Sequence, residues 1–146
     1  MKRWLALVTI VATGTVSLVW TEVAAQQAAP PGAPDPSNFT GKVTVRAADD
    51  VRVLRLVFEP SARTNWHSHA GGQTLIVEQG RLRAAERGAS TGKEFGPGES
   101  YVTAPNIVHW HGALPDGPLT QIAVSVGMTN WLEPVTAAQY NAAARR

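Results

Sequence analysis

The sequence contains no cysteine, which excludes a disulfide framework, a thiolate nucleophile and a sulfur-ligated zinc site. It is also poor in charge: 16% of the 146 residues are Asp, Glu, Lys or Arg, with 13 basic against 11 acidic and a net charge of +2. The basic residues do not cluster. Arg52, Arg55, Arg63, Arg81, Arg83 and Arg87 are each separated by apolar or small residues, so no stripe tracks a phosphate backbone and no nucleic-acid partner is expected. Hydrophobic residues make up 44% of the chain, enough for one core and too little length for several domains.

At the N-terminus, Lys2 and Arg3 precede a mostly apolar run over residues 5–20 that leads into Thr21-Glu22-Val23-Ala24-Ala25. This is the pattern of a secretory signal peptide, with small residues Val23 and Ala25 at the cleavage site. Residues 1–25 are therefore expected to direct export to the periplasm or beyond and to be removed. The run is diluted by Thr9, Thr13, Gly14, Thr15 and Ser17 and is short for a bilayer span of about 20 residues, so no stable membrane insertion is expected after cleavage. Loss of Lys2, Arg3 and Glu22 leaves a net charge of +1. Residues 26–36 are Gln, Ala, Pro, Gly and Asp with four prolines, a composition that blocks helix and central strand and reads as a tether. The folded domain is expected over residues 37–146.

Turn signals recur through that domain every 8 to 12 residues with β-rich stretches between, which predicts an all-β sandwich or barrel. Strands are expected over 39–46, 51–58, 74–78, 81–86, 99–103, 108–114 and 119–126. In Arg81-Leu82-Arg83 the alternation predicts two charges on a wet face and Leu82 inside. Leu54, Leu56, Leu75, Val77 and Val124 are expected in the core or pocket wall, and Arg63 is a candidate partner for Glu59. Glu78 and Glu99 read as solvated strand and turn residues. Only the end looks helical: Thr136 is a fitting N-cap for an alanine-rich helix over 137–144.

All four histidines fall in two pairs, His67-Ser68-His69 and His109-Trp110-His111. In extended backbone residues i and i+2 project from one face, so both imidazoles of a pair can enter one cavity. Two such pairs on neighbouring strands supply three or four nitrogens to one ion, and imidazole suits Mn, Fe, Ni, Cu and Zn alike. Trp66 and Trp110, beside the pairs, would point out of such a barrel, toward a dimer contact or a second packing layer.

The wider pattern is His67-x-His69-x3-Gln73-x6-Gly80, then Pro97-Gly98-Glu99 and Pro105-x3-His109. In these residues the chain resembles the cupin superfamily, whose first motif has a glycine, five residues, His-x-His, three or four residues, Glu, six residues and Gly. Its second motif adds one metal-binding histidine after a Pro-Gly turn. Gln73 stands where the family has Glu, and Ser61 and Asn106 stand where glycine is common. Asn106 tolerates a positive φ after glycine best. A narrower resemblance, carried by 58–69, Gly72-Gln73-Thr74-Leu75-Ile76-Val77, His109-Trp110-His111-Gly112-Ala113 and Asn130-Trp131-Leu132-Glu133-Pro134, is to the small manganese cupins that act as hydroxynitrile lyases.

That resemblance implies a cupin β-barrel with a short C-terminal helix, one divalent ion at His67, His69, Gln73 and His109, and a homodimer or higher homo-oligomer. Manganese(II) is the implied metal, with Fe(II), Ni(II) and Zn(II) as alternatives. It also implies a small-molecule substrate and a lyase that makes a hydroxyl more acidic on the metal, with His111 as proton acceptor and Thr64 assisting by hydrogen bonding. With Gln73 as ligand the ion would carry no negatively charged partner. In the pocket wall, Gln121 stands where active lyases have histidine and Ser125 where they have a larger polar residue. A metal-dependent dioxygenase and a non-catalytic metal- or ligand-binding protein are the alternative functions.

Overall fold

The computed structural model describes residues 32–144, so the expected signal peptide and most of the tether lie outside the described residues. The chain divides into two compact units, Met1–Arg46 and Ala47–Arg146. The described part of the first holds a single 3-10 turn, Pro36–Asn38, where the Asp35 carboxylate accepts from the Ser37 N–H at 2.7 Å. The strand expected over 39–46 is not formed. Phe39 and Val43 have β-favouring side chains but are exposed, and strand propensity is realised only against a neighbouring strand.

Among the described residues the second unit contains nine strands and one helix: β1 Val51–Phe58, β2 His67–His69, β3 Gln73–Gln79, β4 Leu82–Glu86, β5 Lys93–Phe95, β6 Ser100–Thr103, β7 His109–Ala113, β8 Leu119–Val126, β9 Thr129–Trp131 and α1 Ala137–Ala142. One sheet has the order β1-β8-β3-β6 and the other β5-β4-β7-β2-β9, with every named pairing antiparallel. The all-β jelly-roll barrel with a short C-terminal helix, read from the sequence, is the architecture found. Among the described residues no helix is long and apolar enough to cross a membrane.

The strictest alternation lies in β8, where Leu119, Gln121, Ala123 and Ser125 are buried and the residues between them are half-exposed. This places Val124 on the outer face rather than in the core. Leu75, Val77, Leu82, Ala84, Tyr101, Ala113, Leu119 and Ala123 fill the space between the sheets, with Leu56, Phe58 and Phe95 packed against them. Burying an aliphatic side chain of this size contributes about 1.5–3 kcal/mol. Gly80 ends the first motif with φ 79°, and a Cβ there would fall 1.9 Å from the Pro118 carbonyl oxygen, so the β3–β4 turn admits only glycine. Ser61 and Asn106 take the left-handed backbone of the glycines they replace, with φ of 63° and 62°.

A second cluster covers the outer face of the histidine-bearing sheet: Trp66, Ala85, Trp110, Val135, Tyr140 and Ala143. Thr136 caps α1 through a capping box with Gln139, and the helix lays Tyr140 across the sheet, its hydroxyl donating to the Ala113 carbonyl at 2.6 Å. The guanidinium groups of Arg63 and Arg83 lie 4.8 and 5.0 Å from the Tyr140 ring centroid, a cation–π arrangement. Trp66 and Trp110 therefore find their cover within the chain, leaving no free aromatic face for a partner there. Arg83 is buried and paired with Glu94 at 2.8 Å, not on a wet face, because α1 roofs that side of β4. Arg63 donates to the carbonyls of Val135 and Ser61 and makes no pair with Glu59. Glu78 binds Arg55 at 2.7 Å, and Glu99 accepts from the Gly96 N–H.

Candidate metal centre

Antiparallel pairing of β2 with β7 sets His67 opposite His109, and the period of two carries His69 and His111 onto the same interior face. All four imidazoles and Gln73 are buried. The ring centroids of His67 lie 4.3 Å from His109, 5.1 Å from His69 and 5.3 Å from His111. Both His-x-His pairs thus meet in one cluster.

The direction of each ring is set by its outer nitrogen. His67 Nδ1 is 2.9 Å from the Asn65 carbonyl oxygen and His109 Nδ1 is 3.0 Å from that of Ile107. A carbonyl only accepts, so in both rings Nδ1 carries the proton and Nε2 presents a lone pair. His69 Nδ1 meets the Thr129 hydroxyl at 3.0 Å, and its Nε2 is buried without a hydrogen-bond partner. Gln73 completes the group. Its Nε2 donates to Ser125 Oγ at 2.9 Å, which turns Oε1 to within 2.9 Å of His109 Nε2. With His109 protonated on Nδ1, that contact faces one acceptor with another. A cation between them satisfies both, and without one a half-turn of the amide offers its NH2 to His109.

Burial holds the rings neutral. It lowers the pKa of His67, takes His69 to about 4 with help from the charge of His67, and takes His109 to about 4. His111, wholly enclosed, is held well below the ordinary imidazole range by burial and then by the other three rings. Neutral rings keep the lone pairs that a metal requires. The nitrogens of His67, His109 and His111 come within 4.8 Å of one another, a group that can hold a divalent cation. His69 and Gln73 border it. The buried orphan on His69 and the donor set of imidazoles and an amide oxygen fit an ion that accepts nitrogen and oxygen together.

His111 differs from the others in its outer partner. Its Nδ1 is 3.0 Å from Gln121 Nε2, while Gln121 Oε1 is buried and unpaired. In this orientation the amide donates and the proton of His111 sits on Nε2. With the amide reversed, Oε1 accepts from Nδ1–H and Nε2 becomes the acceptor. Gln121 thus decides which way His111 can move a proton. The Thr64 hydroxyl accepts from the His111 backbone N–H at 3.1 Å, tying the β1–β2 connection to β7.

Several neighbours carry no signal in the sequence. Thr129 and Trp131 lie on the three-residue β9, where Trp131 pairs with His67 in register and its ring centroid is 4.8 Å from that imidazole. So short a strand shows no alternation to read. The Asn65 and Ile107 carbonyls were legible in principle, since each binds the histidine two residues further on.

The chain belongs to the cupin superfamily: the cupin domain model matches residues 54–125, the span that holds both histidine pairs. An (R)-mandelonitrile lyase of Granulicella tundricola is 38% identical across 70% of this chain and 85% of its own length. Among solved structures, a cupin-like protein from Thermotoga maritima is 44% identical, covers 64% of this chain and 73% of its own, and superposes with a TM-score of 0.62. A Klebsiella pneumoniae protein with a double-stranded β-helix domain is 16% identical, covers 70% of this chain and 93% of its own, and has a TM-score of 0.52, a likeness of fold alone.

Proposed function

We infer that this cupin is a metal-dependent lyase acting on a small hydroxylated or carbonyl compound, with cyanohydrin cleavage as its sharpest form. The observation that supports the reading is a cluster of lone pairs: nitrogens of His67, His109 and His111 lie within 4.8 Å of one another, His67 and His109 are held by carbonyls on Nδ1, Gln73 Oε1 is 2.9 Å from His109 Nε2, and His69 Nε2 is buried and unpaired beside them. His67, His69, Gln73 and His109 would hold the ion, with manganese(II) favoured by the oxygen donor and by the resemblance in the motifs. When bound, a divalent ion of this kind supplies Lewis acidity that makes a substrate hydroxyl easier to deprotonate.

The remaining work falls to the chain's own residues. His111 lies in the same cluster and burial keeps it neutral; it would accept the substrate proton at Nε2 with the Gln121 amide turned to take the Nδ1–H. Thr64 keeps the His111 strand in place through the backbone bond. Leu54 and Trp131 are partly open to solvent and supply apolar walls at the mouth. The 38% identity to a mandelonitrile lyase makes mandelonitrile the first compound to try. The test is metal analysis followed by release of benzaldehyde and cyanide from mandelonitrile, with and without oxygen. Metal-dependent release that is indifferent to oxygen supports the lyase. Oxygen consumption points to a dioxygenase, and metal binding with no turnover of cyanohydrins or related hydroxy compounds points to a binding protein.

A further inference from the structure

The described residues of the second unit include six arginines, and five of them are engaged. Arg55 pairs with Glu78, Arg81 with Glu94 and Asp116, Arg83 with Glu94 and Arg87 with Glu133, while Arg63 is bound to carbonyls. Arg52 has no hydrogen-bond or ion-pair partner among the described residues. Asp49 and Asp50 share a hollow with it, yet neither makes an ion pair with it.

Strand register shows where Arg52 stands. The β1–β8 ladder runs unbroken through eight pairs, placing Phe58 opposite Leu119, Leu56 opposite Gln121, Leu54 opposite Ala123 and Arg52 opposite Ser125. Those four β8 residues are buried, and Phe58 reaches inward to within 5.9 Å of the His111 ring, so Arg52 and Leu54 belong to the same interior-facing row. Arg52 is the last member of that row, level with the Ser125 that anchors Gln73, and Leu54 beside it is 45% exposed. On the β9 side Trp131 is 59% exposed beside His67.

The mouth therefore presents a free guanidinium, an aliphatic wall and an aromatic wall beside a centre whose proposed ligands are all uncharged. A divalent ion held by uncharged ligands and an arginine at the end of the same interior-facing row put two positive charges on one side of the β1-β8-β3-β6 sheet, and a guanidinium fork matches a carboxylate. The geometry points to Arg52 as a specificity-determining residue, and to a substrate that carries a carboxylate on an apolar body as well as the hydroxyl or carbonyl oxygen that enters the histidine cluster. This rests on the metal-centre reading above and narrows its substrate class to hydroxy or oxo acids.

Mandelate and 1-phenylethane-1,2-diol share the apolar body and the hydroxyl and differ in the carboxylate. Calorimetric titration of each into the full chain, manganese-loaded and metal-free, reads the preference without any turnover. Wild type should bind mandelate about tenfold more tightly than the diol, the scale of one charge-assisted contact, and the preference should shrink as salt is raised. Arg52→Leu should abolish it without changing diol binding or metal content, and Arg52→Lys should keep part of it. Equal mandelate affinity in wild type and Arg52→Leu, or no preference for mandelate in wild type, overturns the inference while a metal-loaded chain leaves the centre standing. A chain that takes up no metal overturns the centre instead. The mandelate affinity of the metal-free wild type against Arg52→Leu then still decides the role of Arg52.

Discussion

Acidifying the metal-free protein from pH 7 to pH 5 should destabilise it through its buried histidines. An imidazole in the unfolded chain has a pKa of about 6.5, whereas burial takes His109 to about 4 in the folded state. Between these values the unfolded chain binds a proton that the folded chain refuses, so stability is fully present above about pH 6.5 and is lost as pH falls toward 4. For His109 the whole window is worth on the order of 3 kcal/mol, and about 2 kcal/mol of it is gone by pH 5. His69, also taken to about 4, acts in the same direction, less than additively because protonating one ring opposes protonating its neighbour. Carboxylates with ordinary pKa values near 4 contribute little above pH 5, which isolates the histidine term. Urea unfolding followed by tryptophan fluorescence at pH 7, 6 and 5 measures it. Manganese-loaded protein should fall more steeply, because protons and metal compete for the same lone pairs. A midpoint constant from pH 7 to 5 in the metal-free protein would refute the claim that the four rings are buried and neutral.

Replacing His111 by Ala should leave metal content nearly unchanged, by elemental analysis, and lower turnover by roughly 10² to 10⁴; loss of metal would make His111 a ligand. Glu94→Gln strands the buried Arg83 guanidinium without its carboxylate and should cost about 3 kcal/mol in chemical denaturation, while a loss under 1 kcal/mol would show that Arg83 finds solvent. The outer face of the β1-β8-β3-β6 sheet leaves Val53, Val57, Ile76 and Val102 exposed, whereas the Trp66 and Trp110 face is roofed by α1. A homodimer is expected to cover the valine face, so light scattering should give twice the chain mass for wild type and a monomer for Val57→Lys with Val102→Lys. A monomeric wild type at micromolar concentration removes the dimer.

Local pattern in the chain was enough for the metal-binding motif, because His-x-His needs only extended backbone to put two rings on one side, and for β1 and β8, whose residues alternate or run apolar over eight positions. Thr136 announced its helix in the same local way, since a capping box spans only four residues. Tertiary structure decided what depends on pairing partners. The 39–46 segment has strand-like residues but no ladder, and β2, β5 and β9, three residues each, exist only because neighbours hydrogen-bond to them. Arg83 reads as a surface charge until α1 folds over it, and only the packing of Tyr140 decides between a dimer contact and a second packing layer for Trp66 and Trp110. At the site, the resemblance to the cupin motifs implied His67, His69, Gln73 and His109 as the ligands. Which nitrogen of each ring faces the centre was settled by Asn65, Ile107 and Thr129, and Trp131 entered through the β2–β9 register. Arg52 looks in the sequence like any other scattered arginine. The β1–β8 register turns it inward, since a period of two gives each residue a side only after the strand has found its neighbour.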